Sequence, residues 1–132
     1  MLDAPLPTAT DAAEIDHKAA LRGVFRIFDL WGVSNDDARM ILGQPAPSTF
    51  YAWRKGDNAR LPHDTLRRIG YIAGIFKALQ IVYSDRALAD GWVKRPNRHF
   101  GNQTPLERMS AGDVTDLAAV RQYIDAARAP WS

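Results

Sequence analysis

Residues 34–56 read SNDDARMILGQPAPSTFYAWRKG, and their interpretation decides the fold. Ser34 is a good helix N-cap, and Asp37 three residues on makes a capping-box variant with Asp in the Glu position. Asp36 and Asp37 also complement the positive end of a helix dipole. Ala38, Ile41 and Leu42 then share one face, and Gly43 closes a short helix. Gly43-Gln44-Pro45-Ala46-Pro47 is too rich in breakers to be helical. Ser48 is expected to cap a second short helix, Thr49 to Lys55, which Gly56 ends. Phe50 and Trp53 stand three apart on one face of it and are expected to point inward.

Working outward, residues 1–17 contain Pro5, Pro7, Thr8 and Thr10 and read as a loose arm. From Lys18 helical periodicity begins. Leu21, Val24, Phe25, Phe28 and Trp31 fall on one stripe, with Gly32 as the stop. Downstream, Gly56 to Pro62 is a loop. A long helix is expected from His63 to Tyr83, with Leu66, Ile69, Ala73, Phe76 and Leu79 as its apolar stripe. Ile72, Ile75 and Val82 widen that stripe, so the helix is expected to be buried on more than one side. A shorter helical piece follows, from Asp85 to Val93. Pro96, Asn97, Gly101, Asn102 and Pro105 make a loop anchored by Phe100. Pro105 starts a brief helix capped by Thr104. A last helix starts at Asp113 or Thr115 and carries Leu117, Val120, Tyr123, Ile124 and Ala127 inward until Pro130. No strand pattern and no internal repeat is present. The fold class is all-α: a helix-turn-helix bundle joined through a long helix to a small helical module.

Composition narrows the function. The chain has 132 residues, 46% of them hydrophobic, which is enough for a packed core without staples. There is no cysteine, so thiol nucleophiles, disulfides and Cys-based zinc sites are all excluded. His17, His63 and His99 are in no metal-ligand spacing. No apolar run reaches membrane-spanning length, and residues 1–16 carry Asp3, Asp11, Glu14 and Asp16 with no basic residue, unlike a secretion signal. A cytoplasmic location is expected. No paired carboxylates, no Ser-His-Asp order and no glycine-rich phosphate loop stand out, so neither an enzyme nor a bound cofactor is expected. The cluster around His99 reads as a capped loop.

Between residues 49 and 68, Arg54, Lys55, Arg60, Arg67 and Arg68 face only Asp57 and Asp64. Clustered positive charge of this kind can meet phosphates. In a helix-turn-helix, one helix braces while the next lies in the major groove. The candidate DNA contacts on the second helix are Ser48, Thr49, Tyr51, Arg54 and Lys55. The same pattern also fits a helical bundle with a solvated basic rim, and on the residues alone both readings stand.

Ile41-Leu42-Gly43 through Trp53 and Gly56 resembles the Xre/Cro-type helix-turn-helix, with Pro45 and Pro47 departing from its usual turn. Trp92-Val93, Pro96-Asn97, Phe100-Gly101, Thr104-Pro105-Leu106, Met109, Gly112, Val120, Tyr123 and Ile124 resemble the toxin-binding domain of the MbcA/ParS/Xre antitoxin family. That resemblance divides the chain into an arm (1–17), an Xre-like domain (18–75) and a toxin-binding domain (76–132). It implies a RES-domain toxin partner, from a family acting on NAD. It also implies masking of that toxin's active site, a homodimer, and autorepression at operator DNA. Arg95, Arg98, Gln103 and Arg108 are the candidate toxin contacts, being polar and expected at the surface. Arg128 and Trp131 join them, since Arg and Trp are favoured interface anchors. Trp92, Pro96, Phe100, Pro105 and Leu106 are assigned to structure, packing and shaping the loop, rather than to direct toxin contact. A stand-alone helix-turn-helix regulator is the alternative.

Overall fold

A computed structural model describes residues 16–57 and 60–128. Seven α-helices are found among them, with no strand. α1 (His17–Trp31) opens under an N-cap from Asp16, whose carboxylate accepts from the Lys18 and Ala19 amides. It closes at Gly32, where φ of 69° selects glycine. α2 (Asn35–Ile41) starts as expected, with Ser34 Oγ accepting from the Asp37 amide at 3.1 Å.

α3 spans Pro47–Lys55, and its start differs from the expectation that Ser48 caps it. Ala46 is the N-cap and makes no side-chain cap bond. Proline at the first position has φ already set for a helix and no N–H left to satisfy. The helix therefore begins two residues earlier, and Ser48 and Thr49 lie inside its first turn.

α4 (His63–Val82) is the axis of the molecule. It packs against α1 on one side and α7 on the other. Burial on two sides explains its weak amphipathicity. Its fully buried positions are Ile72, Ile75, Ala78 and Leu79, whereas Ala73 is exposed and Leu66, Phe76 and Val82 are only partly covered. The apolar stripe is thus rotated from the one read off the periodicity, because a second neighbour competes for the helix surface.

α5 (Arg86–Gly91) is capped by Asp85 and runs into a 3-10 turn, Trp92–Lys94. A second 3-10 turn covers Arg98–Phe100. α6 (Pro105–Met109) carries a complete capping box: Thr104 Oγ1 accepts from the Glu107 amide, and Glu107 accepts from the Thr104 amide. α7 (Val114–Arg128) returns along α4.

One core runs through both halves. In the N-terminal half, Phe25 meets Phe28 and Phe50 edge-on, with centroids 6.0 and 5.6 Å apart. In the C-terminal half, Trp92 stacks on Tyr123 at 6.0 Å, and Phe100 packs edge-on against the same tyrosine at 5.4 Å. Ile72, Ile75 and Leu79 join the two. Residues 1–15 and 129–132, and with them most of the expected arm and Trp131, lie outside the described residues.

Candidate nucleic-acid and toxin interfaces

α2, the turn and α3 make the helix-turn-helix. Phe50 is completely buried and Trp53 nearly so, which fixes the face that α3 turns to the core. Ser48, Thr49, Tyr51 and Lys55 are left exposed. Tyr51 rests edge-on against Phe50 with 5.1 Å between centroids, so its ring is held while its hydroxyl end is free to reach outward. Gly56, at φ 84°, turns the chain away at the end of α3, and a side chain there would meet nothing within 4 Å.

Arg54 stands apart from the other four. Its Nη2 donates to Asp29 Oδ1 at 2.7 Å, and its guanidinium lies 4.9 Å from the Phe25 ring centroid. The side chain ties α3 to α1, so a phosphate would have to compete for it with Asp29. At the other end of the motif, Asp36 and Asp37 sit in the first turn of α2. Two carboxylates there oppose a DNA backbone passing over that helix end.

Three basic residues escaped the sequence reading as a group: Lys18, Arg22 and Arg26, spaced four apart along α1 and all exposed. Four-residue spacing on one helix face was the signal that could have found them. A shallow cleft of about 190 Å³ lies between α1 and the end of α3, with Leu21, Phe25 and Trp53 lining it and Lys18, Arg22, Arg54 and Lys55 around it.

In the C-terminal half, the Asn97–Gln103 loop is a closed unit. The Asn97 amide donates to the Gln103 carbonyl, the Asn102 amide to the Asn97 carbonyl, and Asn97 Oδ1 accepts from the His99 amide. The His99 ring packs 4.6 Å from Tyr123 and 4.9 Å from Phe100. That is the capped loop histidine anticipated above. Trp92, Phe100, Pro105 and Leu106 are buried, in keeping with their packing role, whereas Pro96 is exposed. Pro96 is thus left to shape the loop at the surface without packing in the core.

The candidate toxin contacts separate into two groups. Arg98 and Gln103 are exposed on the closed loop, and Arg128 is exposed near the end of α7. Arg95 and Arg108 are tied within the fold. Arg95 donates to the Leu88 carbonyl at 2.9 Å. Arg108 pairs with Asp116 at 2.8 Å and lies 5.9 Å from the Phe100 centroid.

Among the described residues no cluster of His, Cys, Asp or Glu could hold a metal ion, and no helix is long and apolar enough to cross a membrane.

A family model for the antitoxin Xre-like helix-turn-helix domain matches residues 11–74. A second, for the antitoxin Xre/MbcA/ParS C-terminal toxin-binding domain, matches residues 78–129. The uncharacterized protein y4oB of Sinorhizobium fredii (strain NBRC 101917 / NGR234) is 42% identical over 120 residues, covering 91% of each chain. No solved structure matches. With both modules present, in order and along almost the whole chain, this protein belongs to the Xre/MbcA/ParS family of toxin–antitoxin antitoxins.

Proposed function

We propose that the protein binds and neutralises a RES-type, NAD-consuming toxin by masking its active site, and represses its own operon by binding operator DNA as a homodimer. The observation carrying this reading is the fusion of a toxin-binding module to a helix-turn-helix module in one chain. Neutralisation needs no chemistry from this chain. It is competitive occlusion, and the absence of a catalytic constellation in the sequence agrees with that. The toxin-facing surface centres on Arg98 and Gln103, with Arg128 at the end of α7. Exposed Arg95 and half-buried Arg108 flank that surface, each tied to the fold by its own contact. Trp131, three residues beyond Arg128, extends the same contact. Operator contact uses Ser48, Thr49, Tyr51 and Lys55, with Arg54 holding α3 against α1. A two-fold pair reads two half-sites, which gives a dimer the affinity that one motif lacks.

Co-expression of the neighbouring gene tests the reading. Growth arrest by the neighbour, rescue by this chain, co-elution of the two and loss of NAD in the arrested cells are the expected results. A harmless neighbour, or one that does not bind, overturns the antitoxin reading and leaves a DNA-binding regulator. A toxic, neutralised neighbour that leaves NAD untouched overturns only its assignment to the RES type.

A further inference from the structure

We infer that the outer face of α1 is a phosphate-binding track, and that Lys18, Arg22 and Arg26 carry the DNA backbone beside the reading helix. This rests on the DNA-binding reading above and adds a second element to it.

The three cations recur every four residues, so they line one helix face. With a rise of 1.5 Å per residue, the eight residues from first to last span about 12 Å, a length over which a duplex presents several phosphates. All three are exposed. The two carboxylates bordering this face are already engaged: Asp16 accepts from the backbone amides at the start of α1, and Asp29 accepts from Arg54. Arg54 neutralises Asp29, while Asp16, bonded only to neutral amides, keeps its charge; three cations against that one carboxylate leave the face positive.

Its position matters as much as its sign. Lys18 and Arg22 border the same cleft as Lys55, which also belongs to the outer face of α3. The track is thus continuous with the reading helix. Arg26 borders the next depression along, together with Arg86 and Asp90 of α5, the latter accepting from Gln80. The opposite end of the motif carries Asp36 and Asp37. The charge distribution thus moves a docked duplex away from the start of α2 and toward α1 and the end of α3. Long, exposed cations around a shallow cleft suit a backbone of repeated phosphates better than a small ligand, which needs enclosure.

The test compares the full chain with a triple variant, Lys18→Ala/Arg22→Ala/Arg26→Ala. The probes are the duplex from upstream of its own gene and a scrambled duplex of equal length, across a salt series. Thermal melts verify that the variant folds, as expected for three exposed side chains. Each lost phosphate contact lowers the slope of log affinity against log salt by about 0.9, so the triple variant should lose about 2.7 per bound protomer and about twice that for the proposed dimer. Both duplexes should be weakened alike, because phosphate contacts carry no sequence. An unchanged slope and affinity overturns the α1 track and leaves the α3 reading intact. Unchanged DNA binding with lost toxin binding overturns it too, and assigns the face to an acidic protein surface. If the unaltered chain binds neither duplex at low salt, the DNA-binding reading itself has failed and the track with it.

Discussion

Arg68, from the middle of the molecule, donates through Nη1 to the carbonyl of Gly112 at 2.9 Å, and so joins α4 to the turn that launches α7. The same nitrogen donates to the carbonyl of Ile41 at the end of α2, at 3.2 Å, and Nε pairs with Asp64 at 2.7 Å. Arg68 is only 8% exposed, one of the two buried polar residues among those described. One guanidinium thereby bridges the helix-turn-helix and the toxin-binding module. A planar group with five donors in a fixed fork can serve several acceptors at once, which an ammonium cannot match.

Replacing Arg68 with Met keeps an unbranched apolar chain but strands two carbonyls. The cost expected is about 3 kcal/mol of stability. Urea unfolding should show it, and signals from Trp53 in the first module and Trp92 in the second should shift together. A midpoint that stays unchanged for either tryptophan would show that the bridge does not support that half.

Arg54 and Lys55 are neighbours in sequence with different surroundings, and their alanine variants separate the two roles. Lys55→Ala should lower the salt slope of DNA binding by about 0.9 per bound protomer, as for one lost phosphate contact in each half-site. Arg54→Ala removes a surface ion pair and should cost under about 1 kcal/mol of stability. It should leave the salt slope close to that of the unaltered chain. A larger slope change for Arg54 than for Lys55 would reverse the assignment.

The toxin surface is tested in the same way. Arg98→Ala and Gln103→Ala should leave the melting temperature unchanged while weakening toxin binding. If each is an anchor worth more than about 1.4 kcal/mol, dissociation constants rise tenfold or more. Arg108→Ala should instead lower the melting temperature, because it loses Asp116 and its place over Phe100. Equal loss of binding in all three, with no loss of stability, would show Arg108 to be a direct contact.

Much of this arrangement was legible in the residues. Ser34 and Thr104 announce their helix starts because capping is local: the side chain accepts from the amide three positions on. Gly32 announces the end of α1 because its positive φ favours glycine. Phe50 and Trp53 were readable as inward-facing because three-residue spacing puts them on one face. What escaped was decided by contacts distant in sequence. Arg54 looks like a free cation until Asp29, 25 positions earlier, is brought beside it. Arg68 reads as one more basic residue in a cluster until folding surrounds it with carbonyls from two modules. On α4 the wide stripe did announce burial on more than one side, but which positions are fully covered, Ile72, Ile75 and Leu79 rather than Leu66, Ala73 and Phe76, depends on where α1 and α7 pack.

Asp113 supplies a pH-dependent prediction. The Thr115 amide donates to its carboxylate at 3.1 Å, and this backbone bond, aided by the Thr115 hydroxyl, holds the acid below the ordinary aspartate range. Desolvation opposes the shift, while the Arg68 charge adds a smaller push in the same downward direction. A pKa depressed by folding means stabilisation that is complete above the unfolded value and is lost as pH falls through the folded one. Asp113→Ala should therefore be less stable than the unaltered chain at neutral pH, and the two melting curves should converge in strong acid. A gap that persists unchanged at low pH would show that the charge is not what matters there.

The two family matches end and begin at residues 74 and 78, and both limits lie inside α4, with no linker between them. That geometry bears on how such proteins diverge. A residue inserted or deleted between Gly74 and Ala78 turns everything after it by about 100° around the helix axis, and shifts it by about 1.5 Å along it. Ala78 and Leu79 would turn out of the core relative to Ile69 and Ile72, and α7 would lose its seat. The length of this short stretch is therefore constrained more tightly than its composition. New pairings of an operator-binding half with a toxin-binding half can be spliced here only between partners that agree in helical phase.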